Sequence, residues 1–188
     1  MTPDNLQKKS LEILAKYDVK AEPLYIDAIQ KISEEISRLD EGLITHILNV
    51  AKLAAHYAAE NGTSIQKAIM AGLSHDMFRT SSKDKIFQYA KTADFQLTEL
   101  FLRNPMLAHG PAAAGWLRLN IPHLDTHVFE AVRDHTFPDE SSNIMTKILA
   151  SADALEPSRA IDSRDKIRQA AMPFEERYIA VLKIKRGH

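Results

Sequence analysis

Leu43, Ile47, Val50, Ala51, Ala54 and Ala58 lie on one stripe of a 3.6-residue period, and Asn61-Gly62 follows where such a run must stop. Apolar residues recur at that helical spacing along nearly the whole chain, and the eight prolines fall between the periodic runs, where they start or stop helices. The spacing predicts an all-α fold, a helical bundle. Helices are expected over about 4 to 16, 24 to 39, 43 to 60, 64 to 75, 81 to 92, 97 to 102, 111 to 119, 125 to 135, 142 to 155, 157 to 171 and 174 to 184. Thr63 or Ser64 is the expected N-cap of the fourth, whose small and apolar Ile65, Ala68, Ile69, Ala71, Gly72 and Leu73 let it pass close to a neighbour. The stretch Val181-Leu182-Lys183-Ile184-Lys185 alternates as a strand would, over too short a span to decide.

The 188 residues suit one globular domain. Val19-Lys20-Ala21-Glu22-Pro23 is the best linker candidate, so residues 1–24 are expected to form an N-terminal helical extension and residues 25–188 the domain itself. A net charge of -1 gives no reason to expect nucleic acid as a partner, and no run approaches the length of a membrane span. The chain has no cysteine, which excludes thiolate chemistry, and its first residues show no signal-like apolar run, so a cytoplasmic location is expected. The six glycines never cluster, so neither a Walker loop nor a dinucleotide-binding turn can be built. Oligomeric state is left open, with a homodimer among the options.

Chemistry is carried by residues that break the apolar pattern. His75-Asp76 follows the almost wholly apolar Ala71-Gly72-Leu73-Ser74, so an imidazole and a carboxylate arrive where packing is due. One account is a helix end with the histidine facing the dipole; the other is a metal ion that offsets the cost of burying the carboxylate. His46 lies within about 40° of Val50, Leu53 and Tyr57, on the apolar side of its helix, as a core histidine or a ligand would. Asp153 shares a face with Thr146, Leu149 and Ala150 in a helix that Pro157 must end. Two histidines and two aspartates on inward faces make an N2O2 donor set for a divalent iron, manganese, cobalt or zinc ion.

An isolated His46, then His75-Asp76, then a distant Asp153 resembles the order of the HD superfamily of metal-dependent phosphohydrolases. Leu107-Ala108-His109-Gly110-Pro111, Ala131-Val132-Arg133-Asp134-His135-Thr136 and Ala152-Asp153-Ala154-Leu155-Glu156-Pro157-Ser158-Arg159 extend the likeness to the YqeK-type symmetrical dinucleoside tetraphosphatases, over roughly residues 40 to 186. The resemblance implies a metal held by His46, His75, Asp76 and Asp153, with iron favoured and manganese or cobalt also suited. It implies a nucleotide polyphosphate bound by Arg79, His109, Asp134, His135 and Arg159. Asp76 would also hold the attacking water, and His109 would bind phosphate or give a proton to the leaving group. A rival arrangement has His109 and His135 ligating a second metal with Asp76 as the bridge. Arg79 stands where the family usually has Lys, and Leu43 where it often has Arg.

The expected function is therefore symmetric hydrolysis of diadenosine tetraphosphate, or a relative, to two nucleoside diphosphates. Two alternatives accompany it: a phosphohydrolase for a guanosine polyphosphate or nucleoside phosphate, and a non-catalytic sensor that keeps metal and nucleotide. His56, His123, His127 and His188 are read as structural or solvated, and Lys183, Lys185 and Arg186 as a solvated face.

Overall fold

Side-chain caps mark where the chain turns into helix. Asp40, Ser64, Ser82, Asp125 and Asn143 each accept a backbone N–H from the first helical turn that follows, at 2.9 to 3.4 Å. The computed structural model describes residues 1–121, 123–158 and 161–187. It contains α1 (Pro3–Ala15), α2 (Pro23–Ile36), α3 (Glu41–Glu60), α4 (Ile65–Ser74), α5 (Lys83–Thr92) and α6 (Glu99–Arg103). A 3-10 turn over Pro105–Ala108 leads into α7 (His109–Asn120), followed by α8 (Thr126–Asp134), α9 (Ile144–Leu155), α10 (Asp162–Gln169) and α11 (Phe174–Arg186). No strand occurs among the described residues, as the periodicity predicts.

Some boundaries move, for physical reasons. The helix expected from 157 begins instead at Asp162, because Pro157 and Ser158 form a turn held by the Glu156 carboxylate, which accepts both the Ser158 N–H and its hydroxyl. The alternating Val181–Lys185 stretch is helical: Tyr178, Val181 and Leu182 bury one face of α11, and that packing overrides the local two-residue pattern. Gly62 takes a left-handed φ of 61°, which stops α3 after Asn61.

Helix α3 packs most extensively on α4, and α5 on α7, while α9 is laid against α3, α4, α8 and α11. Close approach is written into two glycines. A Cβ on Gly72 would lie 2.6 Å from the Ala51 Cα, and one on Gly115 would lie 1.9 Å from the Tyr89 carbonyl oxygen. The core runs through Ile44, Ile47, Val50, Ile69, Leu73, Leu117, Val132 and Leu149. Each such side chain withdrawn from water contributes roughly 1.5–3 kcal/mol. Leu6, Ile13 and Leu14 of α1 are buried in the same core, against α2, α3 and α4. The result is a bundle in which the inward face of α3 and the C-terminal ends of α4, α8 and α9 converge.

Candidate metal centre

Helix α3 carries His46 on its inward face, α4 ends in His75-Asp76, and α9 carries Asp153 near its end. All four side chains are buried and meet. His46 Nε2 lies 3.5 Å from Asp76 Oδ2 and 3.4 Å from Asp153 Oδ1, and His75 Nε2 lies 3.6 and 3.8 Å from the same two oxygens. The close α3 and α4 contact at Gly72 is what brings His46 and His75 within reach of each other. The four residues expected to share an ion are therefore brought together across three helices.

A second trio adjoins the first. His109 opens α7 and His135 follows α8, and their Nε2 atoms lie 2.9 and 3.9 Å from Asp76 Oδ1. Gly110 permits this: a Cβ there would stand 2.8 Å from the Val132 carbonyl oxygen and 3.0 Å from His135 Cε1. Asp76 thus turns Oδ2 towards His46 and His75, and Oδ1 towards His109 and His135. Both trios, His46-His75-Asp76 and Asp76-His109-His135, place one donor atom per residue close enough to hold a single ion each.

Hydrogen bonding settles which ring nitrogens face the cluster. His75, His109 and His135 each donate from Nδ1 to the carbonyl three residues back, Gly72, Met106 and Val132, at 2.8, 2.6 and 2.8 Å. A carbonyl only accepts, so in the neutral rings every Nε2 presents a lone pair. His46 Nδ1 faces the buried Glu156 Oε1 at 3.1 Å, with the same consequence. Four imidazole nitrogens and two aspartates therefore crowd one buried space, where too few donors for the acceptors is costly. His75 Nε2 has no hydrogen-bond partner among the described residues.

Protons do not resolve the crowding. Burial above all holds the His75 and His135 pKa values below the ordinary imidazole value, and His109 adds to this at His135. Burial works against the charge on Asp76, yet His75, His109 and His46 outweigh it and keep the carboxyl well below the usual range. Imidazole nitrogens set beside carboxylate oxygens are the donor chemistry of a borderline divalent cation, so the residues present fit the metal that the resemblance implies.

Around the cluster, the other expected site residues are placed less uniformly. Arg79 Nη1 lies 2.7 Å from Asp76 Oδ2 and its side chain reaches solvent. Asp134 is not in the cluster; it takes a two-pronged hydrogen bond from the neighbouring Arg133. Arg159 lies outside the described residues, as does His188. One expectation is corrected outright: Lys185 is not part of a solvated face. It is mostly buried, 3.1 Å from Asp153 Oδ2 and 3.1 Å from the His135 carbonyl. Tyr178, Val181 and Leu182 precede it at 7, 4 and 3 residues, a stripe that would have revealed its inward direction. Glu156 was also passed over, although an acid at a helix C-terminus opposes the dipole and so requires a partner. Arg79, Arg103 and Lys185 line a cleft of about 550 Å³ that reaches Asp153, His109 and His135.

A family model described as HD domain matches residues 43–171. The symmetrical bis(5'-nucleosyl)-tetraphosphatase of Halalkalibacterium halodurans is 29% identical over 133 residues, 71% of this chain and 71% of that protein. The protein of the same name from Bacillus subtilis is 27% identical over 134 residues, 71% of this chain and 72% of its own. Among solved structures, a predicted HD superfamily hydrolase involved in NAD metabolism from Clostridium acetobutylicum superposes with a TM-score of 0.72 at 28% identity, over 82% of this chain and 80% of that one.

Proposed function

The chain belongs to the HD domain family, and from that premise we propose that it is a metal-dependent hydrolase cutting diadenosine tetraphosphate, or a related dinucleoside polyphosphate, symmetrically into two nucleoside diphosphates. The activity named for the relatives supports the substrate. One observation carries the chemistry: a buried set of lone pairs opens onto a cleft rimmed by Arg79, Arg103 and Lys185. Lone pairs call for a cation, and a cationic cleft calls for a polyanion.

His46, His75, Asp76 and Asp153 would hold the ion, with iron our first choice and manganese or cobalt equally compatible with the donors. A divalent ion in such a site polarises a phosphoryl oxygen and lowers the pKa of water. The remaining work falls to the chain. Arg79 uses one guanidinium nitrogen on Asp76 and keeps the rest of its fork for phosphoryl oxygens. Lys185 and Arg103 neutralise charge on the departing diphosphate, and Arg159 is assigned the same task from its motif. Asp76 positions the water. Water oxygen bonds to phosphorus as the central bridging P–O bond breaks; the leaving diphosphate takes the electron pair, and the proton lost by the water passes to solvent.

A second reading rests on the trio of Asp76, His109 and His135. In the single-ion version His109 carries a proton towards the leaving group, which requires a proton on a pair whose other member, His135, burial holds well below the ordinary imidazole pKa. In the two-ion version His109 and His135 bind a second cation with Asp76 as the bridge. The division of the Asp76 oxygens between the two trios favours the second version.

Anaerobic purification, metal analysis and a dinucleotide panel with product identification test the proposal. Nucleoside diphosphate as sole product from diadenosine tetraphosphate supports it. A monophosphate and triphosphate pair overturns the symmetric cut, and no product with iron, manganese or cobalt overturns hydrolysis. Asp76→Ala should abolish turnover and metal retention together; normal activity in that variant would defeat the assignment.

A further inference from the structure

Beside the cationic cleft lies a second cavity, of about 390 Å³, walled by Phe95, Phe101, Phe137 and Leu107 and edged by Gln96 and Asp134. Its volume is within the range of small-molecule sites. The rings are arranged edge to face: Phe95 and Phe101 have centroids 4.8 Å apart at 81°, and Phe101 and Phe137 stand 6.1 Å apart at 86°. Phe137 is 57% exposed, whereas Phe78 and Phe129 are buried. Phe137 touches Phe101 edge to face and still leaves more than half of its surface in water beside an apolar slot.

The slot is continuous with the cleft. Leu107 lines both, and the chain from the last residue of α8 alternates between them: Asp134 borders the slot, His135 and Thr136 the cleft, and Phe137 the slot again. A site for phosphates among Arg79, Arg103 and Lys185 is therefore adjoined across Leu107 by the phenylalanine slot. The two cavities differ in chemistry as the two halves of a nucleotide do. The cleft presents three cations, Arg79, Arg103 and Lys185, while the slot has Arg133 alone among its lining residues, held by Asp134 through two hydrogen bonds of 2.7 Å. That pairing holds the Asp134 carboxylate as a fixed acceptor at the slot's edge, suited to an exocyclic amine, and the Gln96 amide adds a donor and an acceptor.

We infer that Phe95, Phe101 and Phe137 form a stacking subsite for a nucleobase, one bearing an amino group, of the nucleotide whose phosphates lie in the adjoining cleft. The inference rests on the phosphohydrolase reading and adds to it the residues that distinguish a nucleotide from a bare polyphosphate. Aromatic faces accept any base, so Phe137 and Phe101 set affinity, and Asp134 with Gln96 sets preference among bases.

The test uses the full-length, metal-loaded protein with Phe137→Ala and Phe137→Trp, titrated calorimetrically with ADP and with inorganic tripolyphosphate. Phe137 is exposed, so neither variant disturbs the core. Phe137→Ala should weaken ADP roughly tenfold or more while tripolyphosphate binds as before, and Phe137→Trp should keep ADP affinity. With diadenosine tetraphosphate the loss should appear in KM more than in kcat. ADP affinity unchanged in Phe137→Ala, or ADP and tripolyphosphate falling together, overturns the subsite and leaves the hydrolase reading standing. If the unaltered protein binds neither ligand, the hydrolase reading falls, and the subsite with it.

Discussion

His109 and His135 meet nitrogen to nitrogen, Nε2 to Nε2 at 3.0 Å, while each ring's Nδ1–H is already given to a backbone carbonyl. Two neutral imidazoles held this way point lone pairs at each other, which repel unless a proton or a cation lies between or beside them. Burial holds His135 well below the ordinary imidazole pKa, which weighs against the proton. The metal content of protein purified anaerobically is therefore expected to be two ions per chain, falling to one in His135→Gln. A content of one in both would return His109 to the role of proton carrier.

Glu156 reaches the cluster from behind, at the Nδ1 of the expected ligand His46. Its Oε1 lies 3.1 Å from His46 Nδ1, and the Ser158 hydroxyl and N–H hold the carboxylate in place. Burial opposes its charge, but Ser158 and His46 together keep its pKa below the ordinary value. Removing a carboxylate that orients a ligating imidazole commonly costs about 10–100-fold in metal affinity or activity. Glu156→Ala should show a loss of that size in metal affinity, measured by competition with a chelator. Unchanged affinity would mean that His46 needs no orienting partner.

Much of the site was legible because its residues contradict their surroundings. His46, His75, Asp76 and Asp153 stand on apolar faces, and a polar group on such a face is visible without coordinates. Lys185 sits on an apolar face as well, but there the alternation of Val181 to Lys185 masked the helical stripe. His109 and His135 were readable as site residues, whereas their mutual contact was not: it depends on α7 approaching the end of α8 over Gly110, and nothing local in either segment specifies that distance. The start of α10 was misplaced for a related reason. Pro157 is a good first helical residue, yet the Glu156 carboxylate takes the Ser158 N–H and hydroxyl and turns the chain there instead.

Gly72 couples packing to the site. An added methyl group would meet Ala51 backbone atoms at 2.6 and 2.9 Å, and backbone cannot rotate away as a side chain can. Overpacking of this kind costs about 1–3 kcal/mol or more, and each kcal/mol lowers Tm by about 2–4 °C in a protein of this size. Gly72→Ala should therefore lower Tm by several degrees. Because α3 and α4 carry His46 and His75, it should also loosen metal retention more than a core substitution of equal cost made elsewhere, such as Leu6→Ala in α1. Equal metal retention at matched stability would separate packing from the site.

Asp125 offers a pH test remote from the metal cluster. It caps α8 by accepting the His127 N–H at 2.9 Å, and Lys67 Nζ lies 2.6 Å from its other oxygen. Burial opposes its charge, but Lys67 and the capping N–H together outweigh it, so the folded-state pKa is depressed. A depressed carboxylate stabilises the fold fully above its unfolded pKa of about 3.9, and that contribution is lost as pH falls through the folded value. Asn also caps a helix, so Asp125→Asn keeps the cap and removes the charge, whereas Asp125→Ala removes both at a cost of about 1 kcal/mol for the cap. In urea titrations between pH 7 and 3, the gap between the unaltered protein and Asp125→Asn should be constant at neutral pH and close as the acid range is entered. The gap between Asp125→Asn and Asp125→Ala should not change with pH. If the first gap also stayed constant to pH 3, the ion pair with Lys67 would contribute nothing, and α8 would depend on its cap alone.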